Sequence, residues 1–505
     1  MTATETPVTT PTSTSTVGTA TAEALRAATA VVGPARARHH VDGTGTAVPL
    51  VRGANVSMSR TRDVLGVLRP RTVAEARRVV QVFDRFPGAC GLQAISTGHN
   101  WGLGSREPAH DDVVTLDLGD LAEVRALDVD RGWAVIEPGV TQGQLAACLA
   151  GTSRMLNVTN SASTTSVIGN ALERGVGFRA QRTDDVLGLE VLLPDGELVR
   201  VGWWPDAERH TPVYPHGLGP GLADLFVQSD LGIVTAAAVR LLPRPQAQRV
   251  VRLRFTDAGL VPAMDAIRDW LVAGLVDAVP KVYDAAATTR YGGDGSAGQF
   301  VAHLCVDGTE RTIDTLVQLL VDEAHASGAF VAVSASDEDR DLVDVDVAHD
   351  FAGDPSRNDA VFEKTFGTTP AGLDASGHGW LFFLPLVPMT GADVASAHGL
   401  KERIAAETGV RFGSVVHVLS TDYADFVMSV RFTAADRDRV HAALDLAHEL
   451  FAEAGFRPYR LDVDHAAWVD RLDPDPGARA LLARLKSALD PHGTIATNRY
   501  GVPAR

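Results

Sequence analysis

Apolar and polar positions follow two regimes along this chain. As far as about residue 245, short apolar runs alternate with small, polar, glycine-rich turns; beyond Arg249, apolar strands alternate with long amphipathic stretches. In the first regime Val67-Leu-Arg-Pro70 reads as a strand and a turn. A helix follows, with Val73, Ala76, Val79, Val80 and Phe83 on one face, Thr72 as N-cap and Glu75 completing a capping box. Strands are predicted at 91–96 and 113–118, with a hairpin-like pair at 124–129 and 133–137. Pro138-Gly139 makes a turn into a short helix at 141–149. The small, polar run 157–177 has a helix-compatible centre at 167–174. Pro194-Asp-Gly196 joins two hairpin strands, 186–193 and 198–201; a short helix at 222–228 and a strand at 232–242 complete the regime.

In the second regime strands at 249–255, 299–305 and 329–335 alternate with helices at 259–273 and 309–326. A polar, acidic loop at 336–358 precedes a strand at 379–388, a helix at 391–407, strands at 412–419 and 425–432, and a helix at 434–455. This pattern predicts an α+β fold: an antiparallel sheet covered by helices, inserted into a first domain to which the last ~50 residues return. The expected divisions are a disordered lead-in at 1–24, a first domain at 25–245, the inserted domain at 246–455 and a returning segment at 456–505. The lead-in rests on a Thr-, Ser-, Pro- and Ala-rich start with no basic or apolar leader region.

The net charge of −17 argues against a nucleic-acid or anionic-membrane partner, and no apolar run approaches a membrane span. Cys90, Cys148 and Cys305 are too few and too scattered for a disulfide framework or a metal site; a cytoplasmic protein is expected. The oligomeric state stays open, a homodimer included. There is no H-E-x-x-H, no clustered Cys/His set and no G-x-S-x-G, so neither metal nor serine-hydrolase chemistry is expected. The acidic loop carries Asp337, Glu338, Asp339, Asp341, Asp344 and Asp346, and reads as a solvated face or a lid.

The densest chemistry lies in Ile95-Ser-Thr-Gly-His-Asn-Trp-Gly-Leu-Gly104. Such a loop can bring successive N–H groups against an anion such as a pyrophosphate. Its glycines fit neither dinucleotide nor mononucleotide signatures, and a plain tight turn uses the same residues.

Further ordered motifs accompany it: Arg69-Pro-x-Thr-Val-x-Glu75, Val135-Ile-Glu-Pro-Gly-Val140, Ser166 to Gly177, Leu225-Phe-x-Gln-Ser-Asp-Leu-Gly-Ile-Val-Thr235, Pro458-Tyr-Arg460 and Leu489-Asp-Pro-His-Gly-Thr-Ile495. Together they resemble the vanillyl-alcohol oxidase and p-cresol methylhydroxylase family of FAD-linked oxidoreductases, over most of 60–245 and 455–505. The resemblance implies a two-domain fold in which a cap domain with a large antiparallel sheet closes over the flavin of an FAD-binding domain. It also implies FAD contacts from Ser96, Thr97, Gly98, Asn100, Trp101 and Gly102 along the pyrophosphate, and from His99. Further contacts are expected from Pro138, Gly139, Ser161, Ser163, Thr164, Thr165, Ser166, Gly169, Asn170, Gly175, Gly232, Ile233, Val234, Asn498 and Arg499; for any one of these, plain turn chemistry is the other reading.

His99 stands where the berberine-bridge-enzyme branch carries its flavin-linked histidine, so a covalent bond through His99 is expected; a hydrogen bond to phosphate or ribose is the alternative. His378 is the nearest counterpart of a cap-domain attachment. No cysteine lies in Ser161–Thr165, so attachment through two residues is not expected.

Tyr459 and Arg460 match the Tyr-Arg pair that binds the phenolate in the phenol-oxidising members. Two departures put para-alkylphenol oxidation in doubt: Leu103 replaces a third phenolate-binding tyrosine, and Ser161 replaces an acid near flavin N5. His417, Asp422 and Tyr423 are placed on a cap strand and turn facing the flavin, with His417 and Tyr423 as catalytic candidates. Asp464 and His465 either orient Arg460 or lie on the surface. The expected function is an FAD-dependent oxidase or dehydrogenase taking a hydride from an alcohol, amine or benzylic C–H of a small molecule, with O2 as electron acceptor. The alternatives are an oxidative cyclisation or coupling enzyme and a non-catalytic FAD- or ligand-binding protein.

Overall fold

The structure is a computed structural model that describes residues 13–206, 208–209, 213–288, 298–336, 345–472 and 475–502. Three sheets organise it. The first runs in the order Ala47–Val48, Ala37–Val41, Val64–Leu68, Val113–Asp117, Leu92–Ile95. Its last three strands are parallel, and its edge is extended by the end of the chain. Leu92 N–H donates to the Thr494 carbonyl (2.8 Å) and Ala496 N–H to that of Leu92 (3.0 Å). The second sheet is wholly antiparallel: Leu198–Gly202, Val186–Leu192, Ile233–Arg240, Trp133–Ile136, Val124–Asp128. The third has eight antiparallel strands. Ala332–Ala335, Ala247–Thr256, Gln299–Gly308, Lys281–Tyr283, Gly413–Val418, Tyr423–Thr433 and His378–Phe383 lie in that order, and Leu386–Pro388 also pairs with Tyr423–Thr433.

The large sheet is two-sided. Val251, Leu253, Ala302, Leu304, Val282, Val416, Ala424 and Phe426 point into a core shared with the helices Leu260–Val272, Ile313–Ser327, Gly391–Thr408 and Arg437–Glu453. The residues between them point the other way, because side chains alternate along a strand. Val250, Tyr283, Cys305 and Val415 on that second face pack into the core around the second sheet. The mixed helix-and-sheet architecture agrees with the expected α+β fold.

The expectation of a disordered lead-in fails for the described part of it. Ser13–Val32 is a helix that buries Ala22, Ala24, Leu25, Ala28 and Val32 against the first sheet and the helix Val73–Asp84. A Cβ on Gly66 would stand 2.7 Å from Leu25 Cδ2, so the bare glycine lets the helix lie on the strand. The Ser- and Thr-rich composition hid an alanine stripe, which buries on a sheet as well as larger side chains do. Residues 1–12 lie outside the described residues.

Thr72 caps its helix as expected, accepting the Glu75 N–H (3.1 Å). The box is only half closed: the Glu75 carboxylate takes the Arg71 N–H (2.8 Å) and pairs with Arg36.

The acidic stretch is only partly a loop. Asp337 to Asp344 lie outside the described residues, but Val345–Phe351 and Asn358–Phe366 are helices. Asp346 pairs with Arg357, and Asp350 is buried. The solvated-face reading therefore does not extend to Asp350. The strand expected at 379–388 is two strands, His378–Phe383 and Leu386–Pro388. Lys281–Tyr283, a three-residue strand, gave too short a periodic signal to be expected at all. Among the described residues no helix is long and apolar enough to cross a membrane.

Candidate active site: a groove and a cavity with a common wall

The glycine-rich loop follows the strand Leu92–Ile95 and crosses a second loop that leads into the short helix Val167–Leu172. The crossing is tight: a Cβ on Gly169 would stand 2.4 Å from Ser96 Oγ. Ser166 locks it, donating to the Pro138 carbonyl (2.6 Å), accepting the Gly169 N–H (2.9 Å) and giving its own N–H to Thr97 Oγ1 (3.3 Å).

These loops wall a long groove. Ser96, Thr97, Gly98, His99, Asn100, Pro138, Thr165, Ser166, Gly169, Asn170, Gly232, Ile233, Val234, Asn498 and Arg499 all line it. Thr97, Gly98, His99 and Asn100 donate their backbone N–H to no acceptor among the described residues. Four consecutive free donors in a turn at Gly98 (φ 73°) are suited to phosphate oxygens. Asn170 Oδ1 and Asp230 Oδ2 are buried without a partner on the same wall, where they can accept from hydroxyl groups. These donors and acceptors fit FAD.

The remaining expected contacts lie elsewhere. Trp101 lines the adjoining cavity, stacked on His99 with centroids 4.4 Å apart. Gly102 lines neither space; its carbonyl accepts the Phe382 N–H (3.0 Å), and a Cβ there would meet the Phe382 ring at 2.6 Å. It fastens the loop to the large sheet. Gly139 is packed on the Gly119 carbonyl oxygen, 2.3 Å from where a Cβ would be. Gly175 lies against the Asn170 side chain. Ser163 gives its N–H and hydroxyl to Asp359 (2.8 and 2.5 Å), and Thr164 Oγ1 meets His99 Nδ1 (3.0 Å). Ser161 faces the cavity. Arg499, unlike these, stays on the groove wall and is buried there, pairing with Glu173 (2.7 Å) and donating to the Leu103 and Leu461 carbonyls. Glycines and serines in such loops serve loop crossings as readily as ligands.

The cavity, about 850 Å³, opens between the loops and the second face of the large sheet. His99, Asn100, Thr165, Asn170 and Arg460 line both spaces. Trp101, Leu103, Phe366, Trp380 and Phe382 give the cavity an aromatic and apolar side. Tyr459 and Arg460 form its floor. Tyr459 donates to Asp425 Oδ2 (3.2 Å); Arg460 donates to Asn100 Oδ1 (3.0 Å), and its Nε is buried without a partner. Burial and the neighbouring carboxylate push the Tyr459 phenol well above its usual value, so it stays protonated. His417 Nδ1 stands 3.4 Å from Asp425 Oδ2, not aligned for a hydrogen bond. Burial, reinforced by the charge of Lys281, pushes the His417 imidazole down to about 4, and burial does the same to His99.

Asp425 and Lys281 carry no motif. Strand register brings them in: Lys281 pairs with His417, and His417 with Asp425. Continuing outward, His303 pairs with Lys281 and Arg252 with His303, so five ionisable side chains cross the sheet in one row. The available signal was a charged residue between Ala424 and Phe426 in an apolar strand.

Tyr423 is 42% exposed and lines neither space, and Asp422 belongs to the same outer turn; both leave the site because residue 425, not 423, reaches the cavity. His378 is exposed at the cavity mouth. Asp464 pairs with Arg62 (2.7 Å), while His465 holds Asp462 (2.8 Å) and Asp445 (2.9 Å); neither reaches Arg460. His448 stacks on His465 at 3.9 Å, so these side chains brace the segment after Arg460 from behind.

Residues 64–202 match the FAD binding domain family. The chain is 35% identical over 226 residues to 1'-carboxy-chondrochloren decarboxylase of Chondromyces crocatus, covering 43% of this chain and 41% of that protein's length. It is 24% identical over 462 residues to the 4-cresol dehydrogenase [hydroxylating] flavoprotein subunit of Pseudomonas putida, covering 85% and 86%. The crystal structure of p-cresol methylhydroxylase with substrate bound superposes with a TM-score of 0.81 at 20% identity, covering 95% of this chain and 96% of that one. Residues 64–202 thus form an FAD binding domain, the chain has the two-domain fold of p-cresol methylhydroxylase over nearly its whole length, and the proteins it resembles support an FAD-linked oxidoreductase.

Proposed function

We propose that the protein oxidises a hydroxylated, phenol-like small molecule at a C–H bond para to the hydroxyl, the cavity holding the substrate and the groove holding FAD. Residues 25–245 and 456–505 then form the FAD-binding part and 246–455 the cap, with the helix from Ser13 added to the former. The observation that carries this is the hydrogen bond from Tyr459 to Asp425, beside Arg460, on a cavity floor that touches the groove. Because the Tyr459 proton is turned to Asp425, its oxygen lone pairs are left to accept a substrate hydroxyl proton. As that hydroxyl ionises, its proton passes to Tyr459 while Tyr459 gives its own to Asp425, and Arg460 stabilises the oxyanion left behind.

Among the described residues, the carboxylate in this cavity is Asp425, in contact with Tyr459, and not at position 161. Leu103, buried in the cavity lining, leaves the oxyanion two protein partners instead of three. FAD, when bound, supplies the acceptor for the hydride. Dioxygen takes the two electrons and two protons as hydrogen peroxide. Two of the proteins it resembles, 4-cresol dehydrogenase [hydroxylating] and p-cresol methylhydroxylase, are named for substrates of the same class.

His99 is proposed as the flavin attachment. Its imidazole is neutral near pH 7, Thr164 holds Nδ1, and it stands where groove and cavity meet. Mixing the holoprotein anaerobically with 4-ethylphenol tests the function: bleaching of the flavin absorbance is expected, and no bleaching with any 4-alkylphenol overturns it. Acid precipitation tests the attachment. Colour should stay in the wild-type pellet and move to the supernatant in His99→Ala; colour in the wild-type supernatant refutes it.

A further inference from the structure

The chain has only four lysines. Lys401 and Lys486 are buried in ion pairs with Asp284 and Asp490. The other two, Lys281 and Lys364, both line the cavity, and neither has a carboxylate within ion-pair distance among the described residues. Arg411 also lines the cavity, exposed and likewise without an acidic partner among those residues, and exposed Arg431 lines it too. In a protein with 63 acidic and 46 basic residues, only one carboxylate, Asp425, lines this space among the described residues. Lys281, Lys364 and Arg411 line the cavity and not the groove, whose free backbone N–H groups suit a pyrophosphate. Lys281 is nearly inaccessible, and its ammonium makes one hydrogen bond, to the Gly177 carbonyl (3.0 Å), out of three it can donate. The ammonium lies over the Phe178 ring (4.8 Å), and burial pulls it down to about 7 against the attraction of Asp425 and Asp350, so an anion that joins it in the cavity restores its charge.

We infer that the cavity selects an organic anion: an aromatic substrate that carries a carboxylate in addition to its hydroxyl. The exposed pair Lys364 and Arg411 draws it in, Trp380 and Phe366 receive the ring, and Lys281 compensates the carboxylate within. The same field repels a protonated amine, which removes amines from the substrate range. This rests on the cavity being the substrate chamber, as proposed above.

The test uses the FAD-loaded protein and two isosteres, 4-hydroxyphenylacetate and 4-hydroxyphenylacetamide, with dissociation constants read from the flavin absorbance perturbation. The acid should bind about tenfold more tightly than the amide, and high salt should shrink that advantage. Lys364→Gln and Arg411→Gln, both at exposed positions, should each weaken the acid by about threefold and leave the amide unchanged. Lys281→Met should remove most of the remaining difference. Equal binding of acid and amide, or an acid preference indifferent to all three substitutions, overturns the inference. The two readings fail separately: flavin bleaching by 4-ethylphenol without acid preference sinks only the anion selectivity. Acid preference without bleaching by any phenol sinks only the oxidation.

Discussion

The groove and the cavity share five residues but are made of different material. The groove offers backbone: four free N–H groups, a helix cap and glycines at a loop crossing. The cavity offers side chains, with Lys281, His417 and Asp425 from three strands meeting Tyr459 and Arg460 from the returning segment. A pyrophosphate keeps its charge across the neutral pH range, so a stiff cradle of backbone N–H groups suits it. A proton transfer needs groups whose ionisation can be set, and burial beside other charges sets it.

The two regions should therefore fail differently. The largest effect is expected in the cavity. Asp425→Asn removes the acceptor for the Tyr459 proton, and anaerobic flavin reduction should slow by about 10²–10³-fold while FAD content is unchanged. Loss of FAD in that variant would erase the distinction between the two regions.

Next is acid sensitivity. The His417 imidazole lies at about 4 in the fold against 6.5 when unfolded. Below pH 6.5 the unfolded chain therefore takes up a proton that the fold refuses. Stability is full above pH 6.5 and falls as pH drops toward 4, by about 3 kcal/mol for this group. Thermal unfolding followed across that range should show the decline, shallower in His417→Asn; an equally steep decline in the variant would show that His417 is not its source.

A groove substitution should give the converse of Asp425→Asn. Gly169→Val drives a side chain into Ser96 Oγ, so FAD affinity should weaken by about tenfold or more, with the reduction rate per bound flavin preserved. Titration with FAD in the His99→Ala background, where the flavin is not attached, measures the first quantity, and rapid mixing the second. The smallest effect is a gain. Leu103→Tyr restores a third oxyanion partner, and 4-alkylphenol affinity should rise by about threefold; unchanged affinity would place the substrate hydroxyl away from residue 103.

The groove was legible because its chemistry is local. Ser96 to Asn100 and Ser166 to Asn170 act within a few residues of one another, and their glycines and caps are written consecutively. Even there sequence could not separate Gly98, which turns toward the groove, from Gly102, which fastens the loop to Phe382. The N-terminal helix was missed because its burial depends on Leu25 meeting a glycine in a later strand.

By itself the sequence determined the periodicities, and through them an α+β fold with an antiparallel sheet; the loop with its histidine and the Tyr459-Arg460 pair took their reading from the family resemblance. Tertiary structure alone decided that Asp425, and not Tyr423, reaches the pair, and that two of four lysines end in one chamber. The reason is register. Side chains alternate every residue along a strand, and a position's partner is fixed by hydrogen bonds to a segment more than a hundred residues away, as Lys281 is to His417.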